Sequence, residues 1–356
     1  MIFQITKLSI IVPLYNNRRF IKKCLDSCLC QGLDVEEYEI IIVNDASTDG
    51  GEFVANTYVD KYPNIKIVNH KYNKGCESTR LSGILKANGD YIFILDSDDW
   101  LSRNSIKPLL EMAINNDYDM VTGRKRRVAT IGNFAFVSKN IKQSLFGEFS
   151  QPELIENYWV SLFGKSVLPF YITGSLIRRE LVSSEYFHTG MRLWEDLYEH
   201  MMIFPHYNKI YYSESQIYNY RLGGGTSVFN PRLYTDHKTL FRLRLKTIDD
   251  YHYEVAKYYA CGEMKNVFKQ IVCEMILHKN ISKDDILRFI QKELDDDIWN
   301  FVFMPAFSAR FKNPEFTNAM IDKDADAIYD ICFKEAKSIK MRNFTRRFWN
   351  FMFIRR

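Results

Sequence analysis

The amino-acid sequence predicts an α/β fold in which helices cover a mostly parallel sheet and a helical module follows. Two observations predict it. Over the first 120 residues, short apolar runs alternate with longer amphipathic stretches, which is typical of strand–helix–strand units on a parallel sheet. After about residue 228, apolar residues recur at helical spacing with few turn signals, which indicates a separate helical module.

The apolar runs place the individual elements. Strands are expected at Leu8–Pro13, Glu39–Val43, Ile65–Val68, Tyr91–Leu95 and Asp119–Thr122. Helices are expected near Asn17–Cys30, Gly51–Lys61, Gly75–Ala87 and Ser105–Asn115. The pattern weakens from about 123 to 170, which we interpret as loops and helices on the same domain. We expect domains at 1–228 and 229–333, followed by a basic tail at 334–356.

The composition excludes several classes of protein. With 46% apolar and 26% charged residues, the chain is expected to fold around a core, unlike disordered or collagen-like chains. Its seven cysteines form no CxxC pair, which disfavours a disulfide framework or a zinc ribbon and favours a reducing, cytoplasmic compartment. Neither a membrane span nor a secretion signal is expected, because no apolar run approaches about 18 residues and no basic segment precedes the first one.

Acidic side chains follow two predicted strands, at the edge where open α/β sheets bind ligands. The second strand runs into Asp45, and the fourth runs into Asp96, Ser97, Asp98 and Asp99. Residues two apart on an extended backbone face the same way, so Asp96 and Asp98 can present carboxylates to one point. This suits Mg²⁺ or Mn²⁺, which completes its shell with water and phosphate oxygens. Helix capping is the alternative.

Four blocks, in this order along the chain, resemble the family 2 glycosyltransferases. They are Ile11-Val12-Pro13-Leu14-Tyr15-Asn16, Ile42-Val43-Asn44-Asp45-Ala46-Ser47-Thr48-Asp49, Asn73-Lys74-Gly75 with Arg80, and Leu95-Asp96-Ser97-Asp98-Asp99. The resemblance is close over roughly the first 110 residues and extends more weakly to about residue 228. It implies a Rossmann-like GT-A catalytic domain at 1–228.

The resemblance also implies the reaction. Such enzymes move a sugar, with inversion at its anomeric carbon, from a nucleotide-sugar donor, usually a UDP-sugar, and they use Mn²⁺ or Mg²⁺. The expected acceptor is a hydroxyl of a glycan or a lipid-linked glycan, as in the synthesis of surface polysaccharides.

Donor-binding roles carry over from the family by position. Pro13 and Tyr15 are expected beside the base and ribose, Asp45 on the base, Arg80 near the nucleotide, and Asp96 and Asp98 on the ribose and the metal. The chain departs from the family at Asn44, where Asp is usual, and at Leu81, where Asn is usual.

A general base is expected in the segment Leu193-Trp194-Glu195-Asp196-Leu197, which resembles the family's Glu-Asp motif. A sugar hydroxyl is too weakly acidic to lose its proton unaided at neutral pH, so a carboxylate is needed beside it. We assign Asp196 as the catalytic base and Glu195 as its supporting residue. The alternative is that both acids only complement the dipole at a helix N-terminus.

Two further segments have weaker signals. Arg221 is followed by a glycine-rich stretch that ends at Ser227, and these two residues are candidates for a lid over a diphosphate, with an interdomain hinge as the alternative. In the tail, Met341, Phe344, Phe348 and Phe351 recur at helical spacing among arginines. Such a helix suits an anionic membrane surface, with internal packing or a nucleic-acid contact as alternatives. The expected location is cytoplasmic and peripheral on the inner face of the cell membrane, with no nucleic-acid partner.

Two other functions stay open at this point. One is a glycosyltransferase-like module without catalysis, which Asn44 and Leu81 would suit. The other is a haloacid-dehalogenase-like phosphotransferase. Its nucleophile normally follows the first strand, whereas Asp96 follows the fourth.

Overall fold

The computed structural model describes residues 6–131, 134–140, 145–154, 159, 162, 172–187, 190–222, 232–251, 254–278, 280–309 and 311–338. The chain divides into two compact units, residues 1–227 and 228–356.

Over its described residues, the first unit contains a single sheet of ten strands. The strands are β1 Leu8–Leu14, β2 Tyr38–Asn44, β3 Ile65–Asn69, β4 Tyr91–Ile94, β5 Trp100–Leu101, β6 Met120–Ile131, β7 Phe134–Asn140, β8 Gly147–Ser150, β9 Ser175–Arg178 and β10 Lys209–Leu222. The helices of this unit are α1 Arg18–Leu29, α2 Gly51–Val59, α3 Cys76–Ile84, α4 Ile106–Asn115 and α5 Glu195–Ile203. The predicted strands and helices before residue 120 are all present, and their ends differ by a few residues.

The strand order is β3-β2-β1-β4-β9-β6-β10-β5, with β7 paired to β6 and β8 paired to β10. Strands β3, β2, β1 and β4 are parallel, as predicted. Beyond them the sheet is mixed, because β9 runs antiparallel to both β4 and β6, while β6 and β10 are parallel. The carboxyl ends of β1, β2 and β4 therefore lie side by side at one edge.

The parallel part of the sheet is largely buried, which explains the apolar sequence of its strands. All seven residues of β1 are buried, as expected for a strand covered on both faces. Helix α1 packs its apolar face on the sheet through Ile21, Cys24, Leu25 and Cys28, which recur at helical spacing. Cys24 and Cys28 are therefore core residues.

The interpretation of 123–170 as loops and helices was wrong for its first part. Residues 120–131 form one long strand, which pairs with β10 and β9 and forms a hairpin with β7. The run Arg124-Lys125-Arg126-Arg127 concealed the strand from a pattern based on apolar residues. Main-chain pairing on both sides holds it extended whatever the polarity of its side chains.

The second unit is helical over its described residues. Its helices are α6 Arg232–Tyr251, α7 Glu254–Leu277, α8 Lys283–Leu294, α9 Ile298–Val302, α10 Pro305–Ser308 and α11 Pro314–Ile321, and residues 325–338 are also helical. The aromatic side chains of Phe268 and Trp299 pack edge to face in its core, with ring centroids 5.2 Å apart. Within the described ranges, no helix has the length and apolar character needed to cross a bilayer.

Candidate active site

The candidate site lies at the carboxyl ends of β1, β2 and β4, facing the start of α5. Pro13 is buried within β1 and pairs with Val43 of β2. The next residue beyond β1, Tyr15, has 48% of its surface exposed. An exposed aromatic ring at this edge offers a flat surface on which a base can stack.

Asp45 is held by the turn that leads into α3. Its carboxylate accepts hydrogen bonds from the backbone N–H groups of Lys74 at 2.8 Å and Gly75 at 2.9 Å. The Nδ1 atom of His70 lies 2.7 Å from the same carboxylate. Gly75 has φ +90°, a conformation that a side chain would strain. The ends of β2 and β3 and the start of α3 thus converge on one acid.

The structure explains how the chain accommodates Asn44 where the family usually has Asp. The Asn44 side chain accepts from the backbone N–H of Ser47 at 3.1 Å and donates to Asn69 Oδ1 at 3.0 Å. Asn44 thus uses both its oxygen and its amide N–H, whereas a carboxylate could supply only acceptors.

The acidic segment after β4 alternates between partly exposed and buried residues. Asp96 and Asp98 are partly exposed, whereas Ser97 and Asp99 are buried. Burial, followed by repulsion from Asp96, raises the pKa of Asp98 to about 6 and that of Asp99 to about 8. Crowded carboxylates of this kind favour a bound cation.

Asp99 is already engaged by the protein. One of its oxygens accepts from the Tyr218 hydroxyl and the other from the backbone N–H of Arg221, both at 2.7 Å. Asp96 and Asp98 are therefore the two acids of this segment that could hold a metal. No group of three or more His, Cys, Asp or Glu side chains with the arrangement of a metal site occurs in the part of the chain that the structure describes.

Arg221, which we predicted as part of a lid, holds the acidic segment in place. Its Nε donates to the backbone carbonyl of Asp98 at 2.7 Å, and its guanidinium lies 4.4 Å from the ring centroid of Phe20 and 4.9 Å from that of Trp100. The other predicted lid residue, Ser227, lies outside the described residues.

Glu195 and Asp196 form the first turn of α5, directly after Trp194, whose φ is +70°. Glu195 is buried and Asp196 is partly exposed. Burial, partly offset by Arg80, raises the pKa of Glu195 to about 7 and also raises the pKa of Asp196. A raised pKa in a partly exposed acid is suited to taking a proton at neutral pH.

Arg80 links α3 to the acids of α5. Its Nη1 donates to Glu195 Oε1 at 3.3 Å and to Glu199 Oε2 at 3.2 Å, and all three side chains are at most 8% exposed. Our sequence analysis missed Glu199. Its spacing from Glu195 could have indicated it. Residues four apart lie on the same face of a helix, so Glu199 is expected on the face that carries Glu195.

Lys125 is a second residue that the sequence analysis missed. It is buried on β6, and its ammonium group donates to the carbonyl of Thr173. Burial lowers its pKa to about 8, although the charges of Asp196, Asp96 and Asp99 favour the protonated form. Lys125 is therefore a cation close to both acidic groups of the site. Lys125 lies in a run of four basic residues, so the sequence alone did not distinguish it from its more exposed neighbours.

The amino-acid sequence is similar to those of known glycosyltransferases. Residues 9–183 match the family model for Glycosyl transferase family 2. The chain is 33% identical over 123 residues to the poly(ribitol-phosphate) beta-glucosyltransferase of Bacillus spizizenii, a match that covers 34% of this chain and 19% of that protein. It is 26% identical over 223 residues to the glycosyltransferase GlyA of Streptococcus pneumoniae, covering 62% and 31%. The chain thus spans less than a third of either relative.

Among solved structures, the fold resembles that of S. aureus TarS residues 1–349 in complex with UDP-GlcNAc. The TM-score is 0.67 at 17% sequence identity, and the match covers 93% of this chain and 92% of that one. This similarity confirms the GT-A fold predicted from the sequence.

Proposed function

Because the chain belongs to glycosyl transferase family 2, we propose that it is a metal-dependent, inverting glycosyltransferase. It moves a sugar from a nucleotide-sugar donor, a UDP-sugar, to a hydroxyl group of a glycan or lipid-linked glycan. The observation that most supports this proposal is that the acids after β4 interact electrostatically with the acids at the start of α5. Asp96 and Asp98 follow β4, and Glu195 and Asp196 start α5. Burial is the main cause of the raised pKa of both acids on α5, and the negative charge of Asp96 raises it further.

The residues present fit a divalent cation. Asp96 and Asp98 supply two carboxylates, the hard oxygen ligands that Mg²⁺ and Mn²⁺ prefer. Asp99 is less suited to the ion, because its side chain is buried and each of its oxygens already accepts a hydrogen bond from Tyr218 or Arg221. When bound, the cation neutralises negative charge that develops on the departing nucleoside diphosphate.

Side chains of the protein can bind the nucleotide base and remove the proton of the acceptor. Tyr15 and Asp45 lie at adjacent strand ends, where an aromatic ring and a hydrogen-bond acceptor suit a nucleotide base. Asp196 takes the proton of the acceptor hydroxyl. Glu195, held by Arg80, fixes the start of α5 and thereby the position of Asp196. Lys125 adds a positive charge that interacts with Asp96 and Asp99 and with Asp196.

Three features support the proposed acceptor: the name of a relative, an exposed arginine and the basic tail. The name of the Bacillus spizizenii relative adds a polyol phosphate polymer to the expected glycan acceptors. Arg127, exposed on β6 two residues after Lys125, would favour such an anionic chain. The basic tail would bring the enzyme to a lipid-linked acceptor at the inner face of the membrane. Apart from residues 334–338, this tail lies outside the described residues.

A thermal-shift panel tests the donor and the metal together. UDP, GDP and CDP are each added with and without Mn²⁺ to wild type, to Asp98→Ala and to the exposed-site control Asp60→Ala. Ligand at 100 times its Kd stabilises a protein by about 2.7 kcal/mol, so even modest affinity is visible at millimolar nucleotide.

We expect a Mn²⁺-dependent shift with UDP that Asp98→Ala loses and Asp60→Ala keeps. A UDP shift that depends on neither Mn²⁺ nor Asp98 would overturn the metal assignment. No shift with any nucleotide would overturn the donor assignment and favour the non-catalytic module.

A further inference from the structure

The side chain of His70 joins three elements beside Asp45. It follows β3 directly, and its backbone N–H donates to the carbonyl of Asn44 at 2.9 Å. Its Nδ1 lies 2.7 Å from Asp45 Oδ1, and its Nε2 lies 2.9 Å from Ser82 Oγ on α3. The His70 and Asp45 side chains are only 4% and 3% exposed. The imidazole is thus fixed at both nitrogens.

The chemistry of the partners sets the direction of these hydrogen bonds. An ionised carboxylate only accepts, so the Nδ1 of His70 carries a proton and donates to Asp45. In the neutral imidazole Nε2 then accepts, and the Ser82 hydroxyl donates to it. Consecutive donors in one direction polarise each other and strengthen the last bond, the one to Asp45.

The Asp45 carboxylate has one acceptor position left over. A carboxylate offers about four lone-pair sites. His70 and the backbone N–H of Lys74 use those of Oδ1, and the backbone N–H of Gly75 uses one of Oδ2. The remaining site on Oδ2 can accept from a ligand. Since three donors hold the group, its orientation is fixed.

We propose that His70 is a positioning residue that makes Asp45 selective for uracil over cytosine in the nucleotide. This inference rests on the proposed function and deepens it. The N3 atom of uracil carries a proton and can donate to Asp45, whereas the N3 atom of cytosine is itself an acceptor and would face a second acceptor. Rejection of the wrong base requires that the carboxylate presents an acceptor in a fixed orientation, and the hydrogen bond from His70 holds it there.

Two amide substitutions separate the two nitrogens of the ring. Asn at position 70 places an N–H near the position of Nδ1 and retains a donor to Asp45. Gln places its amide near Nε2 and loses that donor, as does Phe. Titration calorimetry with Mn²⁺ gives the Kd of UDP and of CDP for wild type, His70→Asn, His70→Gln and His70→Phe.

We expect His70→Asn to keep the ratio of CDP to UDP Kd within about threefold of wild type. His70→Gln and His70→Phe should lower that ratio at least tenfold, mainly by weakening UDP. A hydrogen bond to a charged group contributes about 1.5–3 kcal/mol, which corresponds to at least about tenfold in affinity. A merely structural role for His70 would lower the melting temperature without changing base selectivity. If His70→Phe does not fold, the comparison of His70→Gln with His70→Asn tests the proposal by itself.

The outcomes distinguish this inference from the proposed function. If wild type binds UDP and the Gln variant keeps the wild-type selectivity, the role of His70 is refuted while the donor assignment stands. If wild type binds neither nucleotide, the proposed function is refuted, and the role of His70 is refuted with it.

Discussion

The guanidinium Nη1 of Arg80 on α3 lies 3.3 Å from Oε1 of Glu195 at the start of α5. The two residues are 115 positions apart in the chain, and both are buried. This ion pair connects the parallel half of the sheet, which carries Asp45 and Asp96, to the helix that carries Asp196. The position of Asp196, the proposed general base, therefore depends on a residue in the part of the chain that we assign to donor binding.

Removing the Arg80 charge should destabilise the fold. In Arg80→Met, Glu195 and Glu199 lose the cation that they share while still buried. Because burial already raises the pKa of both acids, they take up protons and are left as buried polar groups without a partner, at a cost of about 1–3 kcal/mol. Adding Glu199→Gln removes one of these buried acids and should recover part of the loss. The free energy of unfolding in urea measures both variants, with the exposed Arg103→Met as control. A double variant no more stable than Arg80→Met would contradict this account.

The raised pKa of Glu195 predicts how stability changes with pH. Because burial raises this pKa from 4.5 to about 7, folded Glu195 keeps a proton that the unfolded chain releases. Its contribution to stability is complete below pH 4.5 and is lost as pH rises through about 7. Glu195→Gln does not titrate, so its free energy of unfolding in metal-free buffer should fall less than that of wild type between about pH 5 and 7.5. Equal slopes in urea denaturation would refute the assignment.

The parallel half of the fold could be predicted from the sequence because its signals are local. β1 is apolar except for Ser9, and Asp96 and Asp98 follow an apolar strand closely. Contacts between distant segments left no such signal. Arg80 could be assigned to the nucleotide by family resemblance, but its pairing with Glu195 and Glu199 depends on where α5 packs. The role of His70 depends in the same way on Asp45 and Ser82, which belong to different elements.

Two helical glycines should respond oppositely to alanine. A Cβ on Gly83 of α3 would overlap Ile11 Cγ2 on β1, so Gly83→Ala should destabilise the protein by about 1–3 kcal/mol. Among the described residues, a Cβ on Gly262 of α7 would meet only Phe311 Cε1, at 3.8 Å. Gly262→Ala should therefore stabilise by about 0.5–1 kcal/mol, because alanine loses less backbone entropy on folding. Urea denaturation tests both, and a neutral or stabilising Gly83→Ala would contradict the close packing of α3 on β1.

Charge reversal in the tail tests the proposed membrane contact. The full-length triple variant Arg342→Glu, Arg346→Glu and Arg347→Glu should bind phosphatidylglycerol vesicles at least about tenfold more weakly than wild type, since each basic residue near an anionic surface contributes about 1 kcal/mol. The control carries the same charge change at exposed lysines elsewhere: Lys71→Glu, Lys86→Glu and Lys292→Glu. Co-sedimentation measures binding. Equal binding by wild type and the tail variant would exclude an electrostatic role for the tail.

The most direct test of the central claim is UDP release from a panel of UDP-sugars with a lipid-linked glycan fraction as acceptor. Wild type should release UDP from at least one donor in a Mn²⁺-dependent reaction. Asp196→Asn should bind UDP as wild type does but release it about 10²–10⁴ times more slowly, because only the proton transfer is lost. Asp98→Ala should lose both binding and release, and the exposed control Asp117→Asn should lose neither. Undiminished release by Asp196→Asn and Asp98→Ala would contradict a single transfer site built from these two acidic groups.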